Sequence, residues 1–381
     1  MLSLLALALP LAALPQKVLI VGGGPNLSHN QVAIESNVRY VLRMLPKDIT
    51  PRVLFADGDA ASKTVLFEDE KHQSQYRSSE IPHIDGPSRY DTVKTELLNL
   101  AGDLKPKQPV FLYFTGHGSP NAQSQFANNQ FDLWKGEAYT VKDLATSLKS
   151  YPRDTPVTLL MVECFSGAFG NVLFENGDPQ GELTNRPVCG FFASIAQRPA
   201  AGCTPELNEA NYKDFTSYFV AVLTGTSRIG QATTGADYNN DGKVGMNEAF
   251  AYALINDDSI DTPVCTSDVF VRRFVTTPDE EVFTTSYPEA LSWASPSQKA
   301  ALEALSMRLG FTGDDRLKQA YTAFRGINLG GESDRETHLI RYVRLAKSVI
   351  LAHTLRTTVD RQLRKRFDEL LKLESGNPFS G

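Results

Sequence analysis

Two short segments hold residue types suited to covalent chemistry. In "VFLYFTGHGSP", His117 stands between Gly116 and Gly118 directly after an apolar run. In "TLLMVECFSGAFG", Cys164 follows an apolar run that ends in Glu163, and Ser166, Gly167 and Gly170 let the chain turn. A cysteine at such a corner is either a small core residue or a nucleophile held out for use. A thiol of ordinary pKa is mostly protonated at neutral pH, and a nearby imidazole generates or stabilises its thiolate. The same imidazole can then protonate an amine leaving group. Gly118 lets the backbone approach a substrate carbonyl, so the N–H groups of Gly118 and Cys164 are the expected oxyanion hole. The two strand ends together favour a catalytic His117/Cys164 dyad over a core cysteine and an incidental turn histidine.

A second constellation is "DYNNDGKVGMNE", Asp237 to Glu248, which fits the calcium-loop pattern D-x-[DN]-x-[DN]-G-x5-E at every specified position. Asp237, Asn239 and Asp241 offer side-chain oxygens, Lys243 its carbonyl, and Glu248 a bidentate carboxylate, with Gly242 at the turn. The competing reading is an Asn/Gly-rich turn that caps the helix "NEAFAYAL". The preceding "TGTSRIGQATTGA" is a poor entering helix, so the expectation is an isolated structural Ca²⁺ loop that pins residues 225–250. "GGGP" at 22–25 is not a dinucleotide fingerprint, because Leu27 occupies the place of the third glycine.

These residues need a scaffold. Strands are expected over 17–23, 52–57, 109–116, 156–163, 189–196 and 268–275. Helices are expected over 30–45, 90–104, 141–150, 211–224 and 247–255, and a polar excursion fills 58–89. Such alternation predicts an α/β fold, a mainly parallel sheet with helices on both faces. Sites in that architecture form at the carboxyl ends of strands, here after Gly22, Gly116, Glu163 and Ala196. From about Pro288 strand signals stop, and three helical patterns follow, the last long. The expected organisation is a leader over 1–16, a domain over 17–287 and an α-helical C-terminal region over 288–381.

The chain has 381 residues, 41% of them hydrophobic and 22% charged, with a net charge of −6. The acidic balance gives a nucleic-acid partner no global support. The apolar N-terminus, "MLSLLALALPLAALPQ", is too short to span a bilayer but suits the core of a secretory signal, so the expected location is secreted or periplasmic. The basic cluster Arg361, Arg364, Lys365 and Arg366 reads as a solvated helix face.

With these motifs in place, the chain resembles the caspase/legumain superfamily of cysteine peptidases. "TGHGS" looks like that superfamily's histidine motif and "ECFSGAF" like its cysteine motif, in the order His then Cys. Their separation, 164 − 117 = 47, lies near the ~50-residue spacing of one thiol-protease family. The resemblance covers roughly residues 17–275. It implies a caspase-like three-layer sandwich around a six-stranded sheet, five strands parallel and the last antiparallel. By the same resemblance His117 is the catalytic histidine and Cys164 the nucleophile of an endopeptidase acting on proteins or peptides.

The resemblance also draws the specificity pocket from "GGGPNLSHNQ" and "CGFFASIAQR", which makes His29 and Ser194 pocket candidates. Legumain-like members carry Arg-His in the first loop, whereas this chain has Ser28-His29. His29 reads equally as a solvated loop residue. Glu163 either lines the pocket or hydrogen-bonds beneath the loop. The family fold puts Cys203 and Cys265 at one sheet edge, which implies a disulfide between them. The helical C-terminal region is either an inhibitory segment over the active site, as in legumain, or a packed accessory unit. Two functional alternatives remain: an inactive calcium-binding protein on this fold, and a transpeptidase or ligase using the same dyad.

Overall fold

The computed structural model of the chain describes residues 16–329, 331–358 and 360–380. The expected leader lies outside the described residues apart from Gln16. Apolar runs without polar interruption form the buried strands. They are β1 (Lys17–Gly23), β2 (Arg52–Phe55), β5 (Val110–Ser119), β8 (Val157–Met161) and β9 (Val188–Phe192). Two hairpins interrupt this series, β3 (Val65–Glu68) with β4 (Ser74–Arg77), and β6 (Gln130–Leu133) with β7 (Glu137–Thr140). The intervening helices are α1 (Val32–Met44), α2 (Tyr90–Asp103), α3 (Val141–Leu148), α4 (Phe215–Thr224) and α5 (Met246–Asn256).

The main sheet runs in the order β10-β9-β8-β5-β1-β2, where β10 is the two-residue strand Val264–Cys265. β10 pairs antiparallel with β9, and every other pair along this path is parallel. Val18 and Ile20 of β1 pack on one face with Val38 and Val41 of α1 and Phe219 of α4. Leu19 and Val21 pack on the other with Leu97 of α2 and Leu144 of α3. This is the mostly parallel sheet with helices on both faces that the alternation predicts.

The sixth strand differs from expectation. Residues 268–275 are not a strand: α6 (Thr266–Phe274) takes them. Phe270, Val271 and Phe274 lie at helical spacing, Asp268 sits in the first turn, and Arg272 and Arg273 sit in the last. Those charges oppose the helix dipole favourably at both ends. The antiparallel strand comes a few residues earlier and is shorter. The region read as polar excursion also contains the β3–β4 hairpin, which is too short and polar to show a period of two.

Helices continue with α7 (Asp279–Val282), α8 (Tyr287–Trp293), α9 (Pro296–Leu309), α10 (Arg316–Phe324), α11 (Asp334–Thr357) and α12 (Arg361–Glu374). The last helical pattern therefore divides, and Asp360 caps α12 by accepting the Leu363 N–H. One hydrophobic cluster runs from Val18 through Leu302, Leu351 and Phe367 to Phe379. Glu374 of α12, buried, accepts hydrogen bonds from the Thr266 hydroxyl and the Ser267 N–H, each at 2.7 Å. No helix among the described residues is long and apolar enough to cross a membrane.

Candidate active site

Strand register explains the 47-residue separation. β5 and β8 are adjacent and parallel, with Val110 opposite Val157 and Phe114 opposite Met161, an offset of 157 − 110 = 47. Val162 N–H still donates to Phe114 C=O at 3.0 Å. The last ladder pair, Phe114 with Met161, lies three residues before His117 and three before Cys164, so the same offset relates the two residues beyond it. Alternation along β5 puts His117 on the face shared by Tyr113, Leu160 and Val162.

Two glycines permit this approach. A Cβ on Gly118 would lie 2.2 Å from the Cys164 carbonyl oxygen, and one on Gly116 would lie 2.4 Å from the Gly23 carbonyl oxygen. No side chain fits either position. Directly after Cys164, Phe165 adopts φ +60°, a left-handed conformation that costs a non-glycine residue about 1–2 kcal/mol. The corner is held from outside. Phe165 N–H donates to Arg198 C=O at 2.9 Å, and Gly167 N–H to Ser194 C=O at 2.8 Å. Buried Asn129 donates its amide to the carbonyls of Phe165 and Ala196 at 3.1 and 2.9 Å.

The imidazole and the thiol face different partners. His117 Nε2 is 3.0 Å from Gln31 Oε1, and the His29 ring stands edge-on at 5.5 Å. The Cys164 Sγ accepts the Ala200 N–H at 3.2 Å. No hydrogen bond joins His117 to Cys164. Burial, aided by the His29 charge, holds the imidazole below its ordinary pKa. Burial pushes the thiol up, against the opposing effect of the Ala200 N–H. Both shifts favour the uncharged forms, thiol and neutral imidazole.

Three other residues named from sequence occupy different places. His29 is exposed, at the rim beside His117, with Nδ1 at 2.9 Å from Asn26 Oδ1. Ser194 is fully buried and bonded to the Pro199 carbonyl and the Thr262 hydroxyl. Glu163 points to the opposite sheet face from Cys164, against Gly118 and near Asp132, and is only 1% exposed. No side chain bonds its carboxyl, and burial pushes its pKa well above the carboxylate range. It is a sealed acid against Gly118 of β5, and burial favours its neutral form.

A strap of chain over 199–205 crosses the strand ends. Ala200 N–H meets Cys164, Cys203 Sγ lies 3.5 Å from Gly116 C=O, and Thr204 C=O accepts the Ala33 N–H of α1. Buried Asp261 fixes the strap by accepting the N–H of Ala201 at 2.6 Å. The inferred Cys203–Cys265 disulfide is absent, since both thiols are free. Cys265 is buried at the start of α6 with its sulfur 3.1 Å from the Ser267 hydroxyl, whereas Cys203 sits over β5. The strap, Gln31 and Asn129 carried no sequence signal of their own. Only Gln31 lay in a segment already marked as pocket-forming.

The calcium-type loop is closed by its own backbone. Asp237 accepts the N–H groups of Asp241 and Gly242, and Asp241 accepts that of Lys243. Glu248 accepts those of Tyr238, Asn239 and Gly245. The donors are hard oxygens of the kind calcium prefers. Among the described residues no three His, Cys, Asp or Glu side chains converge as a metal set.

Fold and strand ends together define an α/β protein with a mostly parallel sheet that presents a histidine near the end of β5 and a cysteine just past the end of the neighbouring β8. The sequence matches no protein-family model and no curated protein. Among solved structures it is similar to protein GSU0716 from Geobacter sulfurreducens, at 11% identity and a TM-score of 0.39, covering 66% of this chain and 92% of that one. It is also similar to a secreted C11 cysteine protease from Bacteroides thetaiotaomicron, solved with an irreversible peptide inhibitor. That match has 14% identity and a TM-score of 0.27, covering 46% of this chain and 48% of the other.

Proposed function

We propose that the protein is a cysteine endopeptidase with Cys164 as nucleophile and His117 as general base and acid. The observation that supports this reading is the pairing of β5 with β8, which brings the segments carrying His117 and Cys164 together at adjacent strand ends. Gln31 holds Nε2 of His117, and the imidazole would take the thiol proton once the Cys164 side chain rotates away from Ala200. The thiolate attacks the scissile carbonyl, and the N–H groups of Gly118 and Cys164 receive the oxyanion. The imidazolium then protonates the leaving amine, and water resolves the thioester. An amine in place of water would make the same acyl-enzyme a ligase intermediate. Substrate must displace the strap over 199–205 to reach the thiol.

Calcium is a separate part of the proposal. Asp237, Asn239, Asp241, the Lys243 carbonyl and Glu248 would hold it, and bound cation would brace the turn before α5. Export through the N-terminal leader and hydrolysis of extracytoplasmic protein complete the reading.

The test is a broad peptide library with the parent chain and Cys164→Ala. Turnover by the parent and none by the variant is expected; equal turnover ends the peptidase reading. One observation favours a non-catalytic protein instead: the thiol is bonded to Ala200 rather than to His117. A peptidyl thiol electrophile separates the two, because an inert thiol forms no rapid Cys164 adduct.

A further inference from the structure

Cys203 is a thiol on the same strap that bonds the candidate nucleophile, and the proposed reaction does not use it. Its sulfur lies on the Gly116 carbonyl of β5. Gly116 lies two residues past the last ladder pair of β5 with β8, Phe114 opposite Met161. The Cys164 sulfur lies on Ala200 N–H, three residues before Cys203 along the strap. Both cysteines are therefore held at the end of β5, Cys203 by its sulfur on the Gly116 carbonyl and Cys164 with its own carbonyl against Gly118. Both are also on the same sheet face, since Cys203 packs against the cluster that includes Leu160 and Val162. Gly202, at φ +111°, folds the strap back between them. Each thiol is half-buried, whereas Cys189 and Cys265 are buried.

We propose that Cys164 and Cys203 are a redox pair whose intramolecular disulfide ties the strap to the strand end. The oxidant is a small-molecule disulfide such as oxidised glutathione. The Cys164 thiolate attacks one of its sulfurs, forming a mixed disulfide and releasing one glutathione thiolate. The Cys203 thiolate then attacks the Cys164 sulfur, forming the protein S–S bond and releasing the second. The protein loses two electrons and two protons, and the oxidant gains them. A dithiol reverses both steps. The closed form has no free nucleophile, a consequence that rests on the peptidase reading; the disulfide itself does not.

The experiment treats the full chain with oxidised glutathione, quenches with acid and maps the peptides without reduction. One cross-linked pair joining the Cys164 and Cys203 peptides is expected, reverting to two thiols with dithiothreitol. Cys203→Ser is expected to stop at a stable glutathione adduct on Cys164. A stable adduct on Cys164 in the parent chain, a bridge to Cys189 or Cys265, or two unreacted thiols would each overturn the proposal. Peptide turnover by the reduced chain is measured in parallel. A chain that forms the bridge but cleaves nothing keeps the redox pair and loses the peptidase, while one that cleaves but never bridges does the reverse.

Discussion

Arg341, on α11, is buried with its whole guanidinium committed to the loop before β10. Nε donates to Asp261 C=O at 2.7 Å, Nη1 to Asp257 C=O at 2.5 Å and Leu254 C=O at 3.4 Å, and Nη2 to Ser259 C=O at 3.1 Å. Nη2 also lies 3.6 Å from the Asp257 carboxylate, and both side chains are 0% exposed. Arg341→Met keeps the apolar stem and removes the charge. Four carbonyls then lose a donor and a buried carboxylate loses its counter-ion, a type of break that costs about 3–5 kcal/mol. At roughly 2.1 cal/mol/K per residue the whole chain has an unfolding entropy near 0.8 kcal/mol/K, so Tm is expected to fall by about 4–6 °C.

The loss depends on pH in a definite direction. Burial already raises the Asp257 pKa, and Arg341 opposes that rise. Without Arg341 the folded pKa climbs further above the unfolded value of about 3.9. A raised folded pKa means stability that is present at low pH and lost as pH rises through the folded value. The deficit is therefore expected to be larger near pH 8 than near pH 5, and Asp257→Asn in the same variant should flatten it. Thermal unfolding followed by circular dichroism at the two pH values measures both. An unchanged Tm, or a deficit identical at the two pH values, would refute the reasoning. Because Asp261 also holds the strap through Ala201, iodoacetamide should label Cys164 faster in the variant.

Gly118→Ala forces a Cβ onto the Cys164 carbonyl oxygen, and overpacking of this kind costs about 1–3 kcal/mol, so a lower Tm and slower Cys164 labelling are expected. Alkylation of Cys164 should still be gaining rate above pH ~8.5, the ordinary cysteine value, since burial raises its pKa; a plateau below that value would contradict a neutral resting thiol. Gln31→Ala removes the group that orients His117, and loss of one hydrogen bond worth about 1 kcal/mol predicts a several-fold lower kcat with little change in KM. Calcium at ~100-fold over its Kd should stabilise the chain by about 2.7 kcal/mol, and Glu248→Gln should abolish the gain; identical melting with calcium and with chelator would remove the cation from the proposal.

The parallel strands were readable because their apolar runs are buried on both faces and flanked by turn residues. "DVFVRRFV" misled for a physical reason: β-branched and aromatic residues favour a strand, yet an acid in the first turn and paired arginines in the last favour a helix. The hairpin over 65–77 was hidden because four-residue strands with an exposed second arm show too little alternation. At the site, the sequence placed His117 and Cys164 at strand ends, and sheet order supplies their adjacency. It could not supply Gln31, Asn129 or the strap, whose contacts join residues 36 to 87 positions apart through polar and backbone atoms that follow no period.

The alternation that separates Glu163 from Cys164 has a consequence for sequence change along this strand. The crossover between β5 and β8 can gain or lose surface residues, because loop length is weakly constrained where the strands themselves are paired. Between Met161 and the corner the rule is one of parity. Deleting Val162 alone would turn the thiol toward the hairpin and bring an acid to the face of His117, whereas removing two residues would preserve the facing. A screen of single and double deletions here should therefore recover thiol reactivity in an odd–even pattern.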